Sequence, residues 1–382
     1  AVRDALAELL FPGTSTIQTR ARYFLFVPWI YLKLEAKIER SQVPPNEVAD
    51  RARREEVALI DALAESDDTN GVIGIQARAS LKRLPSNVYW QGLGRWRIRL
   101  FPGSQEQYHR SLNGFYDRMR RIARDDEGTP LGGPMRPNWH PGLPPAPPGF
   151  PRKASFQLAK AEADYVRSRI MTQVPGTLLA LLVDGVGPPT QVVFPWEHPQ
   201  VQDFPARIKE QLDHARNFSE AIHGAALLYN LMLAELSGQE ELMEEYRARL
   251  SEWSTLIAER REPLANWDRR RFWSIVISSG ARVAPATRLF IDTWLDLTLS
   301  GDRVRGGPVR DISRVADSER ARSLIRDRET LLKRDQARLT NRRALELWNG
   351  AAGTAQLSYR WPVAQTIVAD ILAGLRRRDE GA

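Results

Sequence analysis

The chain has 382 residues, 42% of them apolar and eleven of them Trp, which is enough to bury the cores of two or three domains. It contains no Cys, and that excludes disulfides, thiolate metal sites and a Cys nucleophile. Lys and Arg number 55 against 47 Asp and Glu, a formal charge of +8, so an acidic partner such as nucleic acid or an anionic surface is favoured wherever the excess is clustered.

In chain order, apolar periodicity predicts helices at about 1–10, 16–40, 45–66 and 104–124. The sequence opens at Ala1 without Met or a charged-then-apolar leader, so a processed chain or a piece of a longer protein is expected. Thr14, Ser15 and Thr16 are placed to cap a helix starting near Ile17. The same Gly13–Thr16 run ahead of Arg20 and Arg22 has the makings of an anion site, although plain capping is the simpler reading. Residues 128–151, GTPLGGPMRPNWHPGLPPAPPGFP, hold nine Pro and five Gly and cannot continue a helix. They divide the chain into a helical domain at 1–127, a connector at 128–151 and a second helical domain at 152–382. Trp139, Leu143 and Phe150 give the connector apolar side chains, so an ordered irregular crossing is expected.

Beyond the connector, helices are predicted at about 155–171, 205–236, 239–261, 285–299, 314–346 and 362–376. Pro263 and Pro285 suit first helical turns, and Gly238 and Gly301 follow helix ends. Ala221–Leu236 is apolar on nearly every face, the mark of a central pillar. Its charge-free part, about 14 residues, is too short to span a bilayer. His223 and Asn230 share one of its faces and read as satisfied buried polar groups. Tyr359 and Trp361 precede an apolar-periodic helix and are expected in the core. Only Trp96–Phe101 and Gln191–Phe194 look extended. The expected fold class is mostly α, a two-part multi-helix architecture with a few short strands and a long Pro/Gly-rich crossing segment.

No catalytic signature is present. None of the Gly clusters carries the Lys of a phosphate-binding loop. His109, His140, His198, His214 and His223 lack the spacing of a zinc site. Asp184 and Glu197 have a spacing seen in metal-dependent nucleases, but Pro199 stands where the Lys is needed. The residues therefore assign no catalytic group, cofactor or metal.

Positive charge is the remaining signal. From Thr69 to Gln105 there is no acid, while Arg78, Lys82, Arg83, Arg95, Arg97 and Arg99 are interleaved with Tyr89, Trp90 and Trp96. Guanidiniums neutralise phosphates and aromatic faces stack on unpaired bases. Alternation of Arg95, Arg97 and Arg99 with Trp96, Ile98 and Leu100 predicts a half-buried strand with its arginines outward. A second cluster, Arg305–Arg343, holds twelve basic residues against six acids. There Ile325, Leu332 and Leu339 recur every seven residues, and Arg334, Arg338 and Arg342 every four, which predicts one long helix with a packed face and a basic face. A solvated helix of alternating charge accounts for the same pattern.

The stretches LFPGTSTIQTRARYFLFVPWIY, LKRLPSNVYWQGLGRW, WHPGLPPAPPGFPRKASFQLAKAEADYV, FPWEHP, HGAALLYNLMLAE and LELWNGAAGTAQLSYRWPVAQTIVADILAGL together resemble a bacterial family of unknown function, roughly 400 residues long. That family is associated with anti-phage defence loci, beside helicase-like and nuclease-like proteins. The resemblance implies a setting and carries no assigned site residues. It also implies an additional N-terminal stretch before FPGTS. With the basic excess, it leads to the expectation of a cytoplasmic, non-catalytic nucleic-acid-binding or adaptor subunit, with DNA and defence proteins as partners and no membrane. A pure protein–protein scaffold and a nuclease whose carboxylates assemble only in the fold are the alternatives.

Overall fold

A computed structural model describes residues 1–40, 43–121, 136–185, 190–299 and 312–377. Up to residue 185 its helices are α1 (Val2–Leu10), α2 (Tyr23–Glu39), α3 (Val48–Ala64), α4 (Pro85–Arg95), α5 (Gln105–Arg121), α6 (Lys160–Gln173) and α7 (Leu178–Asp184). There follow α8 (Ala206–Ser237), α9 (Glu240–Glu259), α10 (Arg261–Ala265), α11 (Arg269–Ser278), α12 (Pro285–Leu299), α13 (Glu319–Lys333), α14 (Arg342–Glu346) and α15 (Trp361–Leu375). The chain is mostly helical, as its periodicity predicts. The expected short strands do not form among the described residues; the extended pairing there is a single bridge between Arg99 and Trp139. Among these residues no helix is long and apolar enough to cross a membrane.

The residues cluster into two compact units, one made of 7–193 and 360–382, the other of 1–6 and 194–359. The division does not coincide with the 128–151 boundary expected from composition, because the described part of that segment is bound into the first unit. Trp139 is buried there and its indole donates to Glu35. The segment's residues 128–135 lie outside the described residues, as do Gly301, Arg305 and Arg310.

The first unit is built around α2, whose residues Tyr23–Tyr31 are all buried. An unbroken buried run gives this part of α2 no solvent face, so neighbours must cover it on every side. Aromatic rings do this: Phe24 stacks on Trp96 with ring centroids 3.9 Å apart, Phe26 on Phe150 at 5.6 Å and Tyr31 on Trp139 at 5.7 Å. The predicted helix start near Ile17 is displaced to Tyr23 because residues 13–22 are occupied with tertiary bonds. Thr14 donates to the Phe11 carbonyl, Arg20 forks onto Asp370 of α15, and Arg22 reaches Glu162 of α6 at 2.7 Å. Both arginines are thus consumed inside the fold, and neither is left free for the anion site considered at Gly13–Thr16. Tyr359 and Trp361 are buried, as the apolar pattern predicts.

Besides Glu162, two further carboxylates, Glu35 and Glu56, are buried in this unit. Glu35 accepts from Tyr108, Tyr116, Asn138 and Trp139. Glu56 accepts from the backbone N–H of Ser86 at 2.8 Å and from its hydroxyl at 2.7 Å, which ties α3 to the first turn of α4. Burial pushes the Glu56 carboxyl up to about 7, against partial compensation from these two donors.

The second unit is organised by α8, 32 residues long and buried along most of its length. It is the pillar that the apolar run Ala221–Leu236 predicts. Helix α9 crosses it at Gly224, where an added Cβ would stand 2.4 Å from the Trp253 ring, and the Trp253 indole donates to the Glu220 carbonyl at 2.8 Å. From α12, the Trp294 indole donates to the Ala221 carbonyl at 2.8 Å. The few polar groups of α8 hold the returning segment 350–359. Ser219 donates to the Leu357 carbonyl, His223 bonds the Thr354 carbonyl, and Asn230 both donates to and accepts from the backbone of Ala352. Gly238 ends the helix in the left-handed conformation at φ 66°, the role its position predicts.

Two outcomes are expected. Because Glu56 binds its proton more tightly folded than unfolded, stability falls as pH rises from about 4.5 to about 7, by about 3 kcal/mol in all. Glu56→Gln removes this term, so the wild-type minus variant unfolding free energy should decline by that amount between pH 5 and 8 in denaturant titrations. Gly224→Ala forces α8 and α9 apart and should cost about 1–3 kcal/mol in the same measurement.

Candidate functional site

The first basic cluster is dispersed by the fold. Tyr89, Trp90 and the glycines that follow lie in α4, and the chain leaves that helix at Trp96 in a turn. The predicted strand with three outward arginines is therefore not formed. Trp96 is fully buried and donates to the Pro12 carbonyl at 2.9 Å, while Trp90, also buried, donates to Gly103 at 3.1 Å.

Arg99 turns inward instead of outward. Only 7% exposed, it donates to the carbonyls of Trp90 at 3.3 Å, of Gly103 at 3.2 Å and of Phe101, and lies 4.6 Å from the centre of the Trp90 ring. It satisfies buried carbonyls at the end of α4, and burial pushes its guanidinium below the ordinary arginine value. The reason lies in Arg97, which adopts φ +56° and so breaks the period of two that would have put all three arginines on one face.

Acids from elsewhere in the chain supply what the acid-free run 69–105 lacks. Arg95 pairs with Glu8 at 3.0 Å and Arg78 with Asp61 at 2.9 Å. Lys82, Arg83 and Arg97 are exposed.

The second cluster is organised differently from its helical prediction. Helix α13 stops at Lys333, so Arg334, Arg338 and Arg342 do not line one helical face. Leu332, expected on the packed face with the buried Ile325, is 62% exposed. Arg334 ends the helix at φ 48°, ψ −123°, a backbone region nearly reserved for glycine. Its carbonyl accepts from Ala337 at 3.0 Å, and the chain then folds back before α14 begins at Arg342.

Glu329, buried on α13, dictates this loop. One oxygen accepts from the Tyr229 hydroxyl of α8, from Lys333 Nζ at 2.9 Å and from the Arg338 N–H at 3.1 Å; the other accepts from the Leu339 N–H at 2.9 Å. Burial alone would push this carboxyl up, but Tyr229, Lys333 and the two backbone donors outweigh it and hold it below the usual range. Asn341 closes the far end, donating to the Asp335 carbonyl at 2.5 Å and capping α14 through the Ala344 N–H. The loop is therefore pinned at both ends, with Arg334 and Arg342 exposed and Arg338 half-buried.

Two adjoining depressions flank it. One, of about 670 Å³, is lined by Thr330, Arg334, Asp335, Thr340, Asn341 and Arg342. The other, of about 520 Å³, shares Thr340, Asn341 and Arg342 and adds Arg338 with the apolar side chains of Leu236, Leu339, Leu345 and Trp348. Arg342 is 91% exposed and 3.5 Å from Glu346 across one turn, a pair that solvent screens to little value. The exposed Arg334 carries a strained backbone, which the Glu329 bonds hold in place. No signal in the sequence separates Arg334 from its neighbours, because its distinction is a backbone angle.

Among the described residues no group of three His, Asp or Glu could hold a metal ion. Asp184 is engaged by Arg167, and Glu197 accepts from the Phe194 N–H at 3.1 Å, so each has a local structural partner. The site offers cations, hydrogen-bonding amides and hydroxyls, and an apolar wall, an arrangement suited to binding an anion.

Arg334→Gly should relieve the strained turn and raise unfolding free energy by about 1 kcal/mol, whereas Arg334→Ala, which keeps a Cβ, should not. Thermal denaturation of the three proteins side by side checks this.

Comparison with known proteins gives the family and no activity. No curated protein and no solved structure matches the chain. A family model described as a family of unknown function (DUF6361) matches residues 1–374. The chain belongs to that family.

Proposed function

We propose that this protein is a non-catalytic nucleic-acid-binding or adaptor subunit that holds a phosphate backbone on the loop 334–342. The observation that carries the reading is Arg334, an exposed cation kept in a glycine-type conformation by bonds to Glu329. Backbone strain of this kind costs about 1–3 kcal/mol and persists only where the surrounding structure holds it, here the Glu329 network that fixes where Arg334 leaves the helix. Arg338 and Arg342 stand on the same loop, and with Arg334 they offer three guanidiniums to phosphate oxygens. The first cluster contributes less: Arg99 is buried, Arg78 and Arg95 each stand beside an acid in a solvent-exposed pair, and Lys82, Arg83 and Arg97 are secondary contacts. The bacterial anti-phage setting, with helicase-like and nuclease-like partners in a cytoplasmic complex, belongs to this proposal through the sequence resemblance. A scaffold reading draws support from Leu331, Leu332 and Leu347, which are 58%, 62% and 78% exposed.

The test is a salt titration of DNA binding by wild type and by Arg334/Arg338/Arg342→Ala, with circular dichroism as a folding control. The slope of log affinity against log salt should become shallower by about 2–3 in the triple variant. Lys82/Arg83/Arg97→Ala should change it less. Equal slopes for wild type and the Arg334 triple variant, or no binding by wild type at low salt, would favour the scaffold.

A further inference from the structure

We infer that the two depressions beside the loop form one seat for an unpaired nucleotide within a strand, with its phosphodiester on Arg334 and Arg342 and its base against Leu236, Leu345 and Trp348. This rests on the nucleic-acid reading above and narrows it to an unpaired strand. The depressions are contiguous, since Thr340, Asn341 and Arg342 line both. Their chemistry is divided as a nucleotide is divided. The first is polar and cationic, while the second joins an apolar wall to amide and hydroxyl groups. A base presents an apolar face and hydrogen-bonding edges, and both are free only when the base is out of a duplex.

Charge narrows the ligand further. Arg334, Arg338 and Arg342 are set against Asp335 and Glu346, a net charge of +1. That balance matches a phosphodiester, which carries one negative charge, and disfavours a free triphosphate. The two carboxylates are acceptors for exocyclic amines or sugar hydroxyls. Trp348 supplies an independent observation. It lines the second depression, it is only 6% exposed, and its indole N–H has no hydrogen-bond partner. The N–H itself is closed off from solvent, so an occupant of the depression meets the ring, and the indole resonance reports its arrival.

The experiment uses full-length protein carrying ¹⁵N in its Trp indoles, with the Trp348 resonance identified by its loss in Trp348→Phe. Hexathymidylate should shift that resonance saturably, and ATP should need about tenfold higher concentration. Leu236→Glu, at a position 56% exposed and so tolerant of charge, should weaken hexathymidylate binding about tenfold. If duplex DNA binds with the arginine-dependent salt slope while hexathymidylate leaves Trp348 unmoved, the seat is refuted and the nucleic-acid reading stands. If ATP shifts Trp348 as readily as hexathymidylate does, the site takes free nucleotides and the strand assignment is wrong. If neither duplex nor hexathymidylate binds at low salt, the nucleic-acid reading itself fails.

Discussion

Helix α8 imposes the constraint on which the second unit is built: most of its 32 residues are buried, so neighbours must cover it along most of its length. Every neighbour is placed to cover it, and the polar groups it does carry become the points at which the rest of the chain is fastened. Ser219, His223 and Asn230 bind the backbone of the returning segment, so that an irregular stretch is buried with its carbonyls satisfied. Tyr229 extends the same principle to the candidate site, because its hydroxyl donates to Glu329.

From Glu329 the dependence runs outward. A buried carboxylate must find donors, and two of the four that it finds are backbone N–H groups at Arg338 and Leu339. To bring those N–H groups back to the carboxylate the chain has to reverse directly after α13, and Arg334 takes the left-handed conformation that the reversal requires. The exposure and strain of one arginine are thus consequences of an interior charge one turn earlier. The loop is ordered for reasons of core electrostatics, so its backbone needs no further ordering when a ligand arrives, while the exposed side chains of Arg334 and Arg342 still do.

The first unit shows the opposite fate for basic residues. Arg20, Arg22 and Arg99 are drawn inside to satisfy Asp370, Glu162 and the carbonyls around the end of α4. Arg99 packs on Trp90 as a cation over an aromatic face, the same pairing of residue types that suggests nucleic-acid contact when read as sequence. An interleaved run of Arg and Trp is therefore equally the signature of a buried cation–aromatic core. Only the neighbours distinguish the two.

The sequence by itself determined the helical class, the pillar at α8, the burial of Tyr359 and Trp361, and the Gly238 stop, because these depend on periodicity and local propensity that neighbouring residues carry. It also made plain that His223 and Asn230 would be satisfied core groups. What the tertiary structure decided was the use of each charge. Helix α4 escaped notice because its Gly92 and Gly94 weaken the helical signal, and Gly92 is required where an added Cβ would meet the Gly13 carbonyl, across a long sequence separation. The long helix predicted at 314–346 is broken at Arg334 because Glu329 takes donors from beyond the helix end, a tertiary demand that outweighs good local propensity. Arg78 and Arg95 are paired at the exposed surface with Asp61 and Glu8, which lie 17 and 87 residues away along the chain. No local pattern records such pairings, since the Coulomb energy depends on distance through space and the fold alone sets that distance.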